Sequence, residues 1–154
     1  MAGKIAARLT ELGITLPEAA APVANYVAWV RTGNLVHVSG QISRDANGLI
    51  CGKLGAGVDV DAGAAAARNC GLALVAQVQA ACDGDLDRVT RVVKLNGFVN
   101  SAPDFGDQPK VINGASDLMV EVFGDAGRHA RSAVGVAALP LGVAVEIDAV
   151  FEIA

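Results

Sequence analysis

Aromatic side chains are scarce: one Trp, one Tyr and four Phe make up 4% of a 154-residue chain. A core without large rings has to be assembled from Ala, Val, Leu and Ile, and small side chains reach native packing density only when elements approach closely. Eighteen glycines make such approach possible. Also missing is any apolar run near the ~18 residues a membrane-spanning helix needs, although 53% of residues are hydrophobic and mean hydropathy is +0.44. Small apolar residues beyond the needs of one core often cover subunit contacts, so an oligomer is expected.

Metal-binding groups are few. His37 and His129 are the only imidazoles, and the spacing of Cys51, Cys70 and Cys82 suits neither a disulfide framework nor a zinc site. Reduced, structural thiols are the expectation. Basic charge is in deficit, with 12 Lys and Arg against 16 Asp and Glu, and a net charge of −4 has the wrong sign for a surface that meets phosphates. The opening Met1-Ala2-Gly3-Lys4-Ile5 holds no signal-peptide core and no glycine at position two, which makes the cytoplasm the expected location. A chain of 154 residues with no linker or internal repeat predicts one domain over 1–154.

The pattern along the chain is α+β. Ile5, Leu9 and Leu12 form one stripe of a short helix over 2–12, with Gly13 as its stop and docking as its role. Tyr26–Arg31 and Leu35–Gln41 read as a hairpin turning through Thr32-Gly33-Asn34, and a third strand is expected around Leu49–Lys53. Asp59 or Asp61 can cap a long, alanine-rich helix reaching about Cys82 and closed by Gly84. Val89–Val99 is the next strand, with an irregularity expected at Gly97. Asp107 and Pro109 open a second helix, on which Val111, Ile112, Ala115, Leu118, Met119, Val122 and Phe123 follow the helical period. The order β-β-β-α-β-α-β-β predicts a sheet with two main helices packed on one face.

The most pointed chemistry lies in ARSAVGVAALPLGVAVEI, from Ala130 to Ile147. Read as a terminal hairpin turning at Leu139-Pro140-Leu141-Gly142, it places Val134 and Val136 with Val143, Val145 and Ile147 on the core face. Arg131 and Glu146 then share the opposite face, roughly 13 Å apart at ~3.3 Å per residue. A guanidinium and a carboxylate at that distance could bracket a small polar ligand or find partners on another subunit. Arg suits a substrate carboxylate, since its planar fork donates parallel hydrogen bonds and stays charged. Glu can position or deprotonate a water.

Other motifs read more blandly. In Gly52–Gly57, Lys53 is not followed by Ser or Thr, and Asp59 and Asp61 stand where an anion would sit, so no nucleotide loop is expected. Ser39 lacks the flanks of a nucleophile elbow. His37 is expected to be a packed or interface histidine, and His129 lies immediately upstream of Arg131, within reach of a tuning role.

Taken together, Asn25-Tyr26-Val27, Gly33-Asn34-Leu35 leading to Val38-Ser39-Gly40-Gln41, Asn113 on the second helix, Ala130-Arg131-Ser132, Leu139-Pro140 and Val145-Glu146-Ile147 resemble the RidA family of YjgF-type, reactive-intermediate deaminases. The likeness runs from about Pro22 to Ile153, leaving 1–21 as an N-terminal helical extension typical of a side branch. The resemblance implies a chorismate-mutase-like fold, a homotrimer with ligand clefts between subunits, and no metal or organic cofactor. It also implies hydrolytic deamination of 2-enamino or 2-imino acids to 2-oxo acids and ammonia. In that scheme Arg131 holds the substrate carboxylate, Glu146 and the Gly40 carbonyl hold the attacking water, and Tyr26, Ser39, Asn113 and Ala133 line the cleft. Three departures stand out: Ala24-Asn25 replaces a frequent Gly-Pro, His129-Ala130 replaces Pro-Ala, and Ala133 occupies a position where cysteine is common. A non-catalytic regulator binding small carboxylates is the alternative, and an endoribonuclease, an activity attached to some relatives, fits the acidic balance least.

Overall fold

The structure, a computed structural model, describes residues 3–22 and 24–154. In chain order its elements are α1 (Lys4–Glu11), β1 (Trp29–Thr32), β2 (Leu35–Ile42), β3 (Arg44–Asp45), β4 (Gly48–Leu49), β5 (Lys53–Leu54), β6 (Gly57–Val58), α2 (Val60–Ala81), β7 (Val89–Asn100), α3 (Gln108–Phe123), β8 (Ala130–Val136) and β9 (Val145–Ile153). Five strands form one mixed sheet in the order β1-β2-β9-β7-β8. Within this sheet only β7 and β8 run parallel, as a pair joined by a crossover helix must, and α3 is that helix.

Local signals fixed the helices. Asp59 caps α2 by accepting from the Ala62 N–H at 2.8 Å, and Gly84, at φ +91°, sends its N–H back to the Gln79 carbonyl. All seven apolar positions expected of α3 are buried. The small residues of α2 serve close approach: a methyl on Gly114 of α3 would overlap the Ala64 carbonyl, and one on Gly71 would meet Leu118 at 2.9 Å. Helix α1 docks through the side chain of Asp87, whose carboxylate accepts from the backbone N–H groups of Lys4 and Ile5 at 2.9 and 2.8 Å. Among the described residues no helix is long and apolar enough to cross a membrane.

Three sequence expectations are corrected. The segment around Leu49–Lys53 adds no strand to the main sheet; Gly48–Leu49 forms a two-stranded ladder with Arg44–Asp45 and Lys53–Leu54 one with Gly57–Val58, with single bridges from Cys51 to Val143 and from Leu54 to Ser101. Gly97 is not an irregularity, since the register shifts of β7 fall between Val89 and Arg91 and between Val92 and Lys94; Gly97 instead leaves room for Ile112 of α3.

The third correction matters most, because β8 and β9 are not a hairpin: β7 lies between them. The connection is held away from a tight turn by Lys53, whose ammonium donates to Asn100 Oδ1 at 2.6 Å and the Ala137 carbonyl at 2.7 Å, and by the Asn100 amide on the Val143 carbonyl. Strand β8 therefore takes its facing from β7, where Phe98 pairs with both Val134 and Glu146. Val134 consequently lies on the face away from the helices and is 44% exposed, whereas Val143, Val145 and Ile147 are buried as expected.

Both long helices cover the same face, packing on Val36, Val38, Leu95, Val99, Val145, Ile147 and Phe151. The opposite face carries Val30, His37, Lys94, Asn96, Phe98, Ser132, Val134, Glu146, Asp148 and Val150, set by the pairing register and not covered by any helix of the described chain. Val30 is 52% exposed there.

Candidate active site

The site residues fall into two groups on opposite faces of the sheet. Arg131 pairs with Leu95, a buried helix-side residue, so its side chain rises toward α3. There Nη1 donates to Asn113 Oδ1 at 2.8 Å and to Ser116 Oγ at 3.1 Å, while Nη2 donates to the Pro109 carbonyl at 3.3 Å. All three acceptors are neutral, and no described carboxylate forms an ion pair with the guanidinium. The cation is oriented but not neutralised. Its Nε–H and second Nη2 hydrogen lie along the edge that a carboxylate engages with two parallel bonds.

Ala133 follows two residues along the same face and packs against the core. Beyond it, Gly135 borders a groove of about 340 Å³ lined also by Ser101, Pro103, Phe105, Gln108 and Val136. Gln108 precedes Pro109, so the groove begins one residue from a guanidinium contact.

The second group gathers at a β-bulge. Between Val38 and Gln41 the register of β2 on β9 shifts, and the extra residue lies in Ser39-Gly40, opposite Asp148. The Glu146 carboxylate lies over Gly40, where any Cβ would overlap it. Burial raises the Glu146 pKa above its usual value, and the nearby Asp148 carboxylate raises it further. Ser39 donates through Oγ to the Val27 carbonyl at 2.7 Å, and its N–H bonds the Ala28 carbonyl at 2.8 Å. Those bonds tie the bulge to the segment carrying Tyr26, which is 51% exposed and precedes β1.

Tyr26, Ser39, Gly40 and Glu146 thus belong to one group, and Asn113, Arg131 and Ala133 to the other. The expectation that Arg131 and Glu146 share a face is corrected: the strands of one chain send them to opposite sides. Sequence reasoning passed over Ser116 altogether. The signal was available, because Ser116 follows Asn113 by one helical turn, so both reach the same partner. His129 also enters, with Nε2 2.9 Å from Ser116 Oγ and Nδ1 2.6 Å from the Gly127 carbonyl.

A mixed sheet backed by two helices is the architecture shared with known relatives. The family model described as "YjgF/chorismate mutase-like, putative endoribonuclease" matches residues 6–152. The chain belongs to this YjgF/RidA family. It is similar to Protein TCP17 of Trypanosoma cruzi, at 59% identity over 153 residues, covering 98% of this chain and 95% of that one. It is 31% identical over 139 residues to a 2-iminobutanoate/2-iminopropanoate deaminase of Dermatophagoides farinae, covering 89% and 92% of the two chains. The crystal structure of Atu1372 from Agrobacterium tumefaciens superposes with a TM-score of 0.90 at 50% identity, covering 97% of this chain and 92% of that one.

Proposed function

We propose that the protein hydrolyses 2-enamino or 2-imino acids to 2-oxo acids and ammonia, in clefts formed where copies of the chain meet. The observation that carries this reading is the Arg131 guanidinium, fixed by three neutral acceptors with a two-donor edge left over. A small acid docked there would direct its side chain along Ala133 toward the groove at Gly135. Glu146 cannot reach it within one chain, so a neighbouring copy has to supply the Glu146 group. The helix-free face of the sheet, with Val30, Phe98, Val134 and Val150 among its polar residues, is the surface on which copies would pack, and a homotrimer is the proposed assembly.

In the cleft, the partner copy's bulge brings Glu146 and the Gly40 carbonyl to a water. That water attacks C2 of the imine, and the carboxylate takes its proton and passes it to the departing nitrogen. The carboxylate then takes the hydroxyl proton of the resulting carbinolamine and delivers it to the amine as the C–N bond breaks, releasing ammonia and leaving C2 as the carbonyl of a 2-oxo acid. A free enamine first takes a proton on carbon and gives one up from nitrogen to become the imine. Tyr26 and Ser39 flank the water, and Asn113 keeps the guanidinium in line.

Binding of small carboxylates without turnover would need the Arg131 half alone; the raised pKa of Glu146, poised to accept a proton, favours catalysis. RNA cleavage has less to rest on, since a net charge of −4 opposes phosphate binding. The test is ammonia release from a dehydratase-generated enamine. Wild type should accelerate it and Arg131→Ala should not; wild type without effect across a panel of 2-imino acids would remove the proposal.

A further inference from the structure

We infer that Ser116 and His129 are positioning residues that set the affinity of Arg131 for the acid group of its ligand, an inference resting on the carboxylate-docking role proposed above. The protons of this network can be placed one by one. The Gly127 carbonyl can only accept, so the Nδ1 it faces at 2.6 Å carries the imidazole hydrogen. In the neutral ring Nε2 is then an acceptor, and the Ser116 hydroxyl, 2.9 Å away, donates to it. With its hydrogen spent there, Ser116 Oγ presents lone pairs to Arg131 Nη1, which donates at 3.1 Å. The result is a one-directional chain running from Arg131 through Ser116 and His129 to the backbone of Gly127.

Both ends of that chain are anchored. Gly127 is buried where a methyl would overlap the Met119 carbonyl, so the 3₁₀ turn Gly124–Gly127 is seated on α3 and its carbonyl cannot drift. Ser116 stands on α3 itself, and His129 immediately precedes β8. The second Nη1 hydrogen is held by Asn113 Oδ1. With Nη1 doubly bound, the guanidinium plane is fixed, and Nε, which has no hydrogen-bond partner among the described residues, is left beside Nη2 for a carboxylate. Losing the Ser116 hydroxyl frees one Nη1 hydrogen and lets the plane rotate, which degrades a two-bond dock more than a single contact. Losing the imidazole nitrogen frees the Ser116 hydroxyl to turn its hydrogen toward the cation.

The experiment measures calorimetric dissociation constants for pyruvate and 2-oxobutanoate, with kcat and KM on the matching imino acids. Ser116→Ala should weaken binding by about tenfold and His129→Phe by about fivefold. Ser116→Thr keeps the hydroxyl and His129→Gln returns a polar atom near the Nε2 position, so each should stay within about twofold of wild type. In turnover, KM should rise while kcat is largely kept, since an acid dock acts on ground and transition states alike. A purely structural role would instead lower kcat through loss of folded sites, leaving KM and the dissociation constant of the remainder intact. That pattern, wild-type affinity in both Ser116→Ala and His129→Phe, or failure of both conservative variants to restore binding would overturn the inference. Wild type that binds neither acid would bring down the docking role of Arg131 and this inference with it. Wild type that binds, with Arg131→Ala abolishing binding and the Ser116 and His129 variants silent, would remove this inference alone.

Discussion

Arg131 and Glu146 stand on opposite faces of one sheet, with β7 between their strands: Arg131 is level with Leu95 and Glu146 with Phe98. One intervening strand and three residues of offset put their Cα atoms roughly 14 Å apart, at ~4.8 Å between strands and ~3.3 Å per residue. Their side chains then diverge, one toward α3 and the other over the bulge at Gly40. Neither distance nor direction lets one chain close both groups on a small acid.

Chain mixing should therefore rescue paired defects. Arg131→Ala and Glu146→Gln should each be inactive alone. Co-expressed in equal amounts, they should regain about a quarter of wild-type ammonia release, because half the chains supply an arginine and half of their neighbours a glutamate. A site contained within one chain would give no recovery at all, so activity that stays at background in a verified mixed oligomer counts against the shared cleft.

The position of Glu146 also fixes a pH response. As the group that receives the water proton it must be ionised, and burial followed by the Asp148 charge raises its pKa above 4.5. The acid limb of kcat/KM should lie above the range of an ordinary glutamate, with activity falling as pH drops through it. Asp148→Asn removes the repelling charge but keeps an oxygen for the Asn96 amide, now at 2.7 Å, so the limb should move to lower pH. For stability the sign is opposite. The native state holds this proton more tightly than the unfolded chain, so ionisation disfavours the fold as pH rises through the window above 4.5. Glu146→Gln should thus melt at neutral pH no lower than wild type while losing turnover. A limb unmoved by Asp148→Asn would separate it from Glu146.

How far these features could be read beforehand depended on whether they were local. Helix α3, the Asp59 cap, the Gly33 turn and the Gly84 stop rest on residues within a turn or two of each other, and each stands where the sequence puts it. Arg131 and Glu146 stood out by charge and spacing, while Gly40 and Asn113 entered only through the family resemblance. The facing of Arg131 and Glu146 was not legible, since β8 inherits its parity from β7, some forty residues earlier, while the alternation across Leu139–Gly142 looked like a hairpin. The roles of Lys53 and Asn100 in holding that connection open come from contacts across the fold, which no periodicity announces.

The contact between the long helices should tolerate no added methyl. Gly114→Ala gains up to about 1 kcal/mol in helix propensity. The new Cβ would overlap the Ala64 backbone carbonyl, however, and backbone cannot swing aside as a side chain does. Overpacking of this kind costs typically about 1–3 kcal/mol, with overlap on backbone at the upper end, so a net loss of about 1–2 kcal/mol is expected by denaturant titration. An unchanged or raised midpoint would mean that the helices separate at little expense.

The exposed carboxylate of Asp87 serves as the missing cap of a helix more than eighty residues away in the chain. Gly3, the residue before α1, has no side chain to cap the free N–H groups, and Asp87 accepts from Lys4 and Ile5 instead. Those two N–H bonds, Ile5 first, lower its pKa below the usual 3.8. A lowered pKa means that the stabilising contribution is present above 3.8 and is lost as pH falls through the folded-state value. Asp87→Ala should release α1 locally. Amide hydrogen exchange of residues 4–11 should speed up at neutral pH, while protection in α2 and β7 stays at wild-type levels. Arg8 Nε on the Glu121 carbonyl at 2.8 Å and the buried Leu9 still hold the helix, so release is partial and goes further in the Asp87→Ala, Arg8→Ala double variant. Unchanged exchange in the single variant would show that the apolar stripe of Ile5, Leu9 and Leu12 alone keeps the helix seated.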